Sequence, residues 1–180
     1  MTDYNKKYIK YKLKYLNLLE KQNGAGWFGI TKTSTYEEVL EAVKKNGNKL
    51  EKASDTLKEN KIIVLAAVEQ DGFALQYASD TLNADRVVVM EAVKEDGEAL
   101  QYASEELKAD KDVVMEAVKK NGMLLKYASN TLKADIPIVK MAVKQNGLAL
   151  RFASDNIRDA YINGTGDPLG KWDKSDPPKI

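Results

Sequence analysis

Residues 74–79 read ALQYAS, and residues 99–104 read ALQYAS again, 25 positions further on. Two copies of a reactive segment would mean two active sites, whereas two copies of a structural unit would mean a scaffold. The flanking sequence decides between them. Gly recurs at 47, 72, 97, 122 and 147. Ala-Val pairs recur at the same interval from Ala42-Val43 to Ala142-Val143, and Ala-Ser pairs from Ala53-Ser54 to Ala153-Ser154. Five units of 25 residues therefore tile positions 35–159 without an insertion, and the hexamer is a fragment of that larger unit. A fixed period of this length marks a stacked architecture, in which no single unit can bury its apolar face alone.

Each unit opens on a residue able to cap a helix: Thr35, Asn60, Asp85, Asp110 and Asp135. Their side-chain oxygens can accept from an otherwise unpaired N–H of the first turn. About ten residues follow with apolar positions at i, i+3 and i+4, as in Val64, Ala67, Val68 and Val89, Ala92, Val93, which form one buried helical stripe. Asn-Gly or Asp-Gly then ends the helix, the Gly being expected in the left-handed conformation of a helix C-terminus. A second, shorter helix is expected to carry Leu75, Ala78 and Leu82 on one face, and Leu100, Ala103 and Leu107 in the next unit. A break at Ser would let it cap a short turn over Glu105 and Glu106. Pro137 falls in a first turn, where a missing N–H is harmless. The pattern predicts an all-α fold, an α-solenoid of five αα-hairpin repeats preceded by an amphipathic N-terminal helix. At roughly 8–10 Å per packed helical layer, the stack would span ~40–50 Å. Polar Asn48, Lys49 and Lys52 in unit one, and Lys140 and Arg158 in unit five, suit ends that face water.

Composition removes several chemistries. The 180 residues contain no Cys, which excludes disulfides and thiolate sites, and no His, the commonest general base and metal ligand. No cofactor is expected. The longest fully apolar run, Ile62 to Val68, falls far short of the roughly 20 residues that cross a membrane. The 28 basic and 27 acidic residues nearly balance, but unevenly along the chain. Residues 1–21 hold six lysines against Asp3 and Glu20, while residues 35–159 hold 18 basic and 22 acidic residues. A basic head precedes a mildly acidic body, and an acidic body argues against a nucleic-acid groove.

Stacking aligns equivalent positions into columns. One is aromatic after a polar start: Lys52, Tyr77, Tyr102, Tyr127 and Phe152. It reads first as packing between repeats with hydroxyls at the water edge, and second as a contact face for a partner. An acidic column (Asp55, Asp80, Glu105, Asp155, with Asn130) stands beside a basic one (Lys58, Lys108, Lys133, Arg158, interrupted by Asn83). Columns of opposite sign on one surface are expected to pair with each other.

The remainder of the chain divides into a head, a linker and a tail. Residues 1–23 form a basic amphipathic helix on a helical wheel, with Tyr4, Tyr8, Tyr11 and Tyr15 on one arc and Lys6, Lys7, Lys10 and Lys14 on the opposite side. The head reads either as a helix docked on the first repeat, or as an address helix or a contact for an anionic membrane or an acidic partner. Those lysines are the candidate basic contact, with nucleic acid as a further ligand. The linker, 24–34, contains GAGWFG, which satisfies G-x-G-x-x-G by letter. It lacks the preceding strand and βαβ setting of a dinucleotide site, so it reads as a joint. The tail, 160–180, is rich in Gly, Pro and Asp and is expected to be extended.

The repeat, with its AVKKNG, ALQYAS and EELKADKDVV phrases, resembles the giant-virus family known as domain of unknown function 4116. The head, with KKYIKYKLKYLNL, is similar to the segment that opens many otherwise unrelated proteins of mimivirus-like DNA viruses. The resemblance implies a protein of a large DNA virus, made in host cytoplasm and not secreted, with the virion as a second location. It transfers no catalytic residue, because the family has no established activity. The expected function is a non-enzymatic protein-interaction module that binds a viral or host protein. A virion structural component is the alternative, and nucleic-acid binding through the head is a third reading. No small-molecule substrate is expected.

Overall fold

The computed structural model describes residues 34–163, and all regular structure among them is helical. Five long helices repeat at the expected interval: Tyr36–Lys45, Lys61–Val68, Arg86–Glu95, Lys111–Lys120 and Ile136–Gln145. All five expected caps form. The Thr35 hydroxyl accepts from the Glu38 amide, and Glu38 answers with its carboxylate on the Thr35 amide, a reciprocal box. Asn60, Asp85 and Asp110 each accept from two first-turn amides, and Asp135 accepts from Ile138. Pro137 lies in the first turn of its helix, where no intrahelical partner is lost. The buried stripe is the expected one: Val64, Ala67 and Val68, then Val89, Ala92 and Val93, are fully shielded. Neighbouring long helices pack on each other throughout, joining the stripes into one continuous core. The chain is a solenoid-like stack.

The second element of each unit differs from the expected α-helix. It is a six-residue 3₁₀ helix: Gly47–Lys52, Gly72–Tyr77, Gly97–Tyr102, Gly122–Tyr127 and Gly147–Phe152. Three residues per turn place Gly72 and Leu75 in one row facing the core, and the chain then turns extended at Ala78 and Ser79. Leu82 belongs to a separate short turn, Asp80–Asn83, rather than to the same helix as Leu75. The reason lies between units. The Ser79 amide, which a continuing helix would use internally, donates instead to the Lys58 carbonyl of the preceding unit. The bond recurs as Ser104 to Asn83, Ser129 to Lys108 and Ser154 to Lys133, at 2.8–3.2 Å. Each Ser amide therefore stitches one unit to the one before it.

The glycines also answer to a neighbour rather than to the turn. None of Gly47, Gly72, Gly97 and Gly122 has a left-handed φ. The chain leaves each long helix through an extended Asn or Asp, such as Asp71 at φ −156°, whose side chain caps the 3₁₀ helix. The Gly then lies against the next unit. A Cβ at Gly47, Gly72 or Gly122 would stand 2.3, 2.5 or 2.1 Å from the carbonyl oxygen of Ala67, Ala92 or Ala142. The junction of units three and four is wider: at Gly97 the nearest carbonyl oxygen, of Ala117, is 3.3 Å away and Leu124 Cδ1 intervenes at 2.8 Å. Leu124 stands where Ala74, Ala99 and Ala149 stand in units two, three and five.

Both ends depart from the repeat. Glu38 is exposed at the position where Ile63, Val88, Val113 and Ile138 are buried, because unit one has no preceding unit among the described residues. After unit five the position 25 beyond Asp135 is Ala160, which has no side chain to cap a new helix. The helix that opens at Asp155 accordingly runs on to Asn163, so residues 160–163 are helical rather than extended.

Candidate interaction face

The aromatic column is half-buried and packs against the core: Tyr77, Tyr102, Tyr127 and Phe152 all border it, and Lys52 is exposed. Its members reach backward across unit junctions. Tyr102 meets Phe73 edge to face, with ring centroids 6.1 Å apart at 71°. The Tyr127 hydroxyl donates to Gln101 Oε1 at 3.3 Å. Burial, followed by the nearby Glu51 carboxylate, pushes the Tyr77 phenol above its ordinary range. The column therefore packs between units while staying half-buried.

The acidic and basic columns pair in units three and five but not in unit one, where Asp55 and Lys58 form no ion pair. Lys108 meets Glu105 at 2.8 Å and Arg158 meets Asp155 at 2.6 Å. A second set of pairs links the long helices from unit to unit. Lys61 reaches Asp85 at 2.6 Å, Arg86 reaches Asp110 at 2.8 Å and Asp112 at 2.6 Å, and Lys111 reaches Asp135 at 2.8 Å. Each cation at a helix start thus holds the next unit's cap. Burial pushes the Asp85 carboxyl up, but the Lys61 ammonium and the Val88 and Val87 amides outweigh it and hold the group below the ordinary carboxylate range. Arg86 is the largest influence on Asp110 and Lys111 on Asp135, and both carboxyls are likewise lowered. This ladder escaped the sequence reading, although Lys61, Arg86 and Lys111 recur at 25-residue spacing directly after a cap position.

Two surfaces of the stack differ in how far they satisfy themselves. On the back of the long helices, Lys44, Lys94 and Lys119 each pair with a Glu three residues earlier, at 3.5–3.6 Å. The outer row of the 3₁₀ helices follows no such rule. It holds Asn48 and Glu51, then Phe73 and Gln76, Glu98 and Gln101, Met123 and Lys126, and finally Leu148 and Arg151. Within one 3₁₀ helix residues three apart eclipse, so each unit presents its two side chains as one rung. The core columns repeat nearly unchanged while these rungs change in every unit. The signal was available in the 25-residue alignment, where Asn48, Phe73, Glu98, Met123 and Leu148 all differ, as do Glu37, Ile62, Val87, Asp112 and Pro137 in the first turns of the long helices.

The remaining sequence-stated sites fall elsewhere. Lys6, Lys7, Lys10 and Lys14, the head they belong to, the GAGWFG stretch and the tail beyond Asn163 lie outside the described residues. Among the described residues no group of three or more acidic side chains could hold a metal ion. No helix among them is long and apolar enough to cross a membrane.

Fold and surface together define a short helical-repeat protein whose units share one core and differ on their surface, the outer row of the 3₁₀ helices included. The family is equally definite. The model of the family described as Domain of unknown function (DUF4116) matches residues 36–83, 85–133 and 110–158, and the chain belongs to that family. Each match spans about two units, and the last two overlap across unit four, so the family's domain is a pair of stacked repeats. No curated protein and no solved structure matched the chain.

Proposed function

We propose that this chain is a non-enzymatic protein-interaction scaffold that binds a partner protein along the outer row of its 3₁₀ helices. One observation carries the reading: the outer row changes from unit to unit on a core that does not. A repeated frame bearing unit-specific side chains is the format in which solenoids present extended binding surfaces. The back face has less to offer a partner in units one, three and four, where Lys44, Lys94 and Lys119 are already matched by Glu. The setting we propose is a large DNA virus and the host cytoplasm, on the head's resemblance to viral N-terminal segments. Packaging in virions would use the same surface.

Affinity purification of the full chain from infected cells tests the reading. The expected result is a stoichiometric protein partner that is lost when outer-row residues are changed and kept when Lys94 is changed to Ala. A chain that purifies alone, or a hydrolase or transferase activity abolished by changing one column residue, would sink it. Mass spectrometry of purified particles separates the two settings.

A further inference from the structure

The outer row ends in two rungs of the same kind. Units four and five present Met123 with Lys126 and Leu148 with Arg151, each an apolar side chain one 3₁₀ turn from a cation. The 3₁₀ helices that carry them pack against each other, so the rungs are neighbours. Charge along the stack follows the same division. Residues 35–109 hold 16 acidic and nine basic side chains, whereas residues 110–159 hold six acidic and nine basic.

Both cations are positioned without being neutralised. The Lys126 ammonium lies 4.5 Å from the centre of the Tyr127 ring, and the Arg151 guanidinium lies 4.9 Å from that of Phe152. Neither makes an ion pair among the described residues. Stacking on a ring restricts a long side chain in advance, which lowers the entropy a ligand must remove. Beside Arg151, Leu148 is 41% exposed.

The geometry points to an acidic, extended peptide segment of a partner protein as the ligand of these two rungs. This rests on the scaffold reading above and names its partner's chemistry. Packed helical layers recur every ~8–10 Å. An extended left-handed peptide helix rises about 3.1 Å per residue with three residues per turn, so side chains three apart share a face about 9 Å apart. Two carboxylates at that spacing meet Lys126 and Arg151 together, and apolar side chains near them cover Met123 and Leu148. A nucleic acid fits less well. One face of each ring is already occupied by its cation, which removes the platform that base stacking needs. A polyanion continuing past these rungs would meet Glu98 and the acidic units one to three.

The test is a random peptide library displayed on phage and selected on the full chain, in parallel with Lys126→Glu/Arg151→Glu and the neutral Lys126→Gln/Arg151→Gln. Both positions are exposed, and an unchanged thermal midpoint verifies that each variant folds. The expected peptides carry paired acids three residues apart. Made as fluorescent probes, they bind the charge-reversed chain at least about tenfold more weakly, with the neutral variant between, and they weaken as salt rises. Selected peptides without paired acids overturn the inference, as does an affinity indifferent to charge reversal. A short single-stranded oligonucleotide that displaces the peptide more tightly than the peptide binds overturns it in favour of nucleic acid. A cellular partner held equally by the parent chain and both variants sinks this inference alone, whereas a chain that holds neither peptide nor partner sinks the scaffold reading too.

Discussion

Alanine at Gly122, Gly72 and Gly97 separates two reasons for a glycine at the start of each 3₁₀ helix. A glycine kept only for a left-handed backbone would cost about 1–2 kcal/mol to replace, alike at all three sites. The structure makes the cost depend on the facing atom instead. A Cβ at Gly122 would stand 2.1 Å from Ala142 O and 3.0 Å from its carbonyl carbon. At Gly72 it would stand 2.5 Å from Ala92 O and 2.9 Å from the Asp96 amide nitrogen. These obstacles are backbone of the neighbouring unit, so the two units must part by roughly 1 Å to restore van der Waals contact. Overpacking of this kind costs about 3 kcal/mol. At Gly97 the nearest atom, Leu124 Cδ1 at 2.8 Å, ends a side chain that can turn away. Reduced freedom of the unfolded chain favours Gly→Ala by about 0.4–1 kcal/mol, so Gly97→Ala is expected within about 1 kcal/mol of the parent.

Equilibrium unfolding in urea, followed by far-UV circular dichroism, reads the difference. Gly122 lies at the junction of units four and five, so its strain is relieved by releasing unit five alone. Gly122→Ala should therefore show an early transition of low m-value before the main one. Gly72→Ala divides the stack between units two and three and should lower the main midpoint. Equal losses at all three sites, or the greatest loss at Gly97, would refute the close-approach account.

Three further outcomes follow from the contacts between units. The Asp85, Asp110 and Asp135 carboxyls are lowered in the folded chain, so the stability they give is fully present above the unfolded carboxyl value of about 3.9 and is lost as pH falls from there through their lower folded values. The urea midpoint should drop as the pH falls below about 4, and the triple change of these residues to Asn, which keeps the cap acceptors, should flatten that drop; an equally steep triple variant removes the ladder's role. Ser79 has φ −68° and follows Ala78 at ψ 160°, both suited to proline. Ser79→Pro thus deletes chiefly the amide bond to Lys58 and should cost about 1–3 kcal/mol; a urea midpoint unchanged by it would remove the role of this stitch. Tyr102→Phe keeps the edge contact with Phe73 and should stay within about 0.5 kcal/mol of the parent, while Tyr102→Ala should cost about 2 kcal/mol. Thermal melts that placed both variants equally low would assign the role to the hydroxyl.

The parts of the fold legible in the sequence are those governed by near neighbours. A cap acts within three residues, and a helical stripe repeats within four, so Asp85 and the Val89, Ala92, Val93 stripe could be read directly. The 3₁₀ helices could not, because what ends them at Ala78 is an amide bond from Ser79 to a carbonyl 21 residues earlier. The glycines misled for the same cause: a Gly after a helix fits a left-handed turn locally, but Gly72 is required by Ala92 O in the next unit. The aromatic column was legible as packing, since aromatic side chains at one position of every unit imply contact between units. The outer row was not, because a search for repetition passes over the columns that fail to repeat. The end of the stack belongs between these cases. Units two to five each begin where Ala precedes a capping Asp, or Glu precedes Asn60, but at 159–160 the order is Asp-Ala. That exchange moves the carboxylate one residue too early to cap a helix in register, so the turn opened by Asp155 meets no new start and continues to Asn163. The five-unit length of the described stack follows from the place where its cap falls out of step.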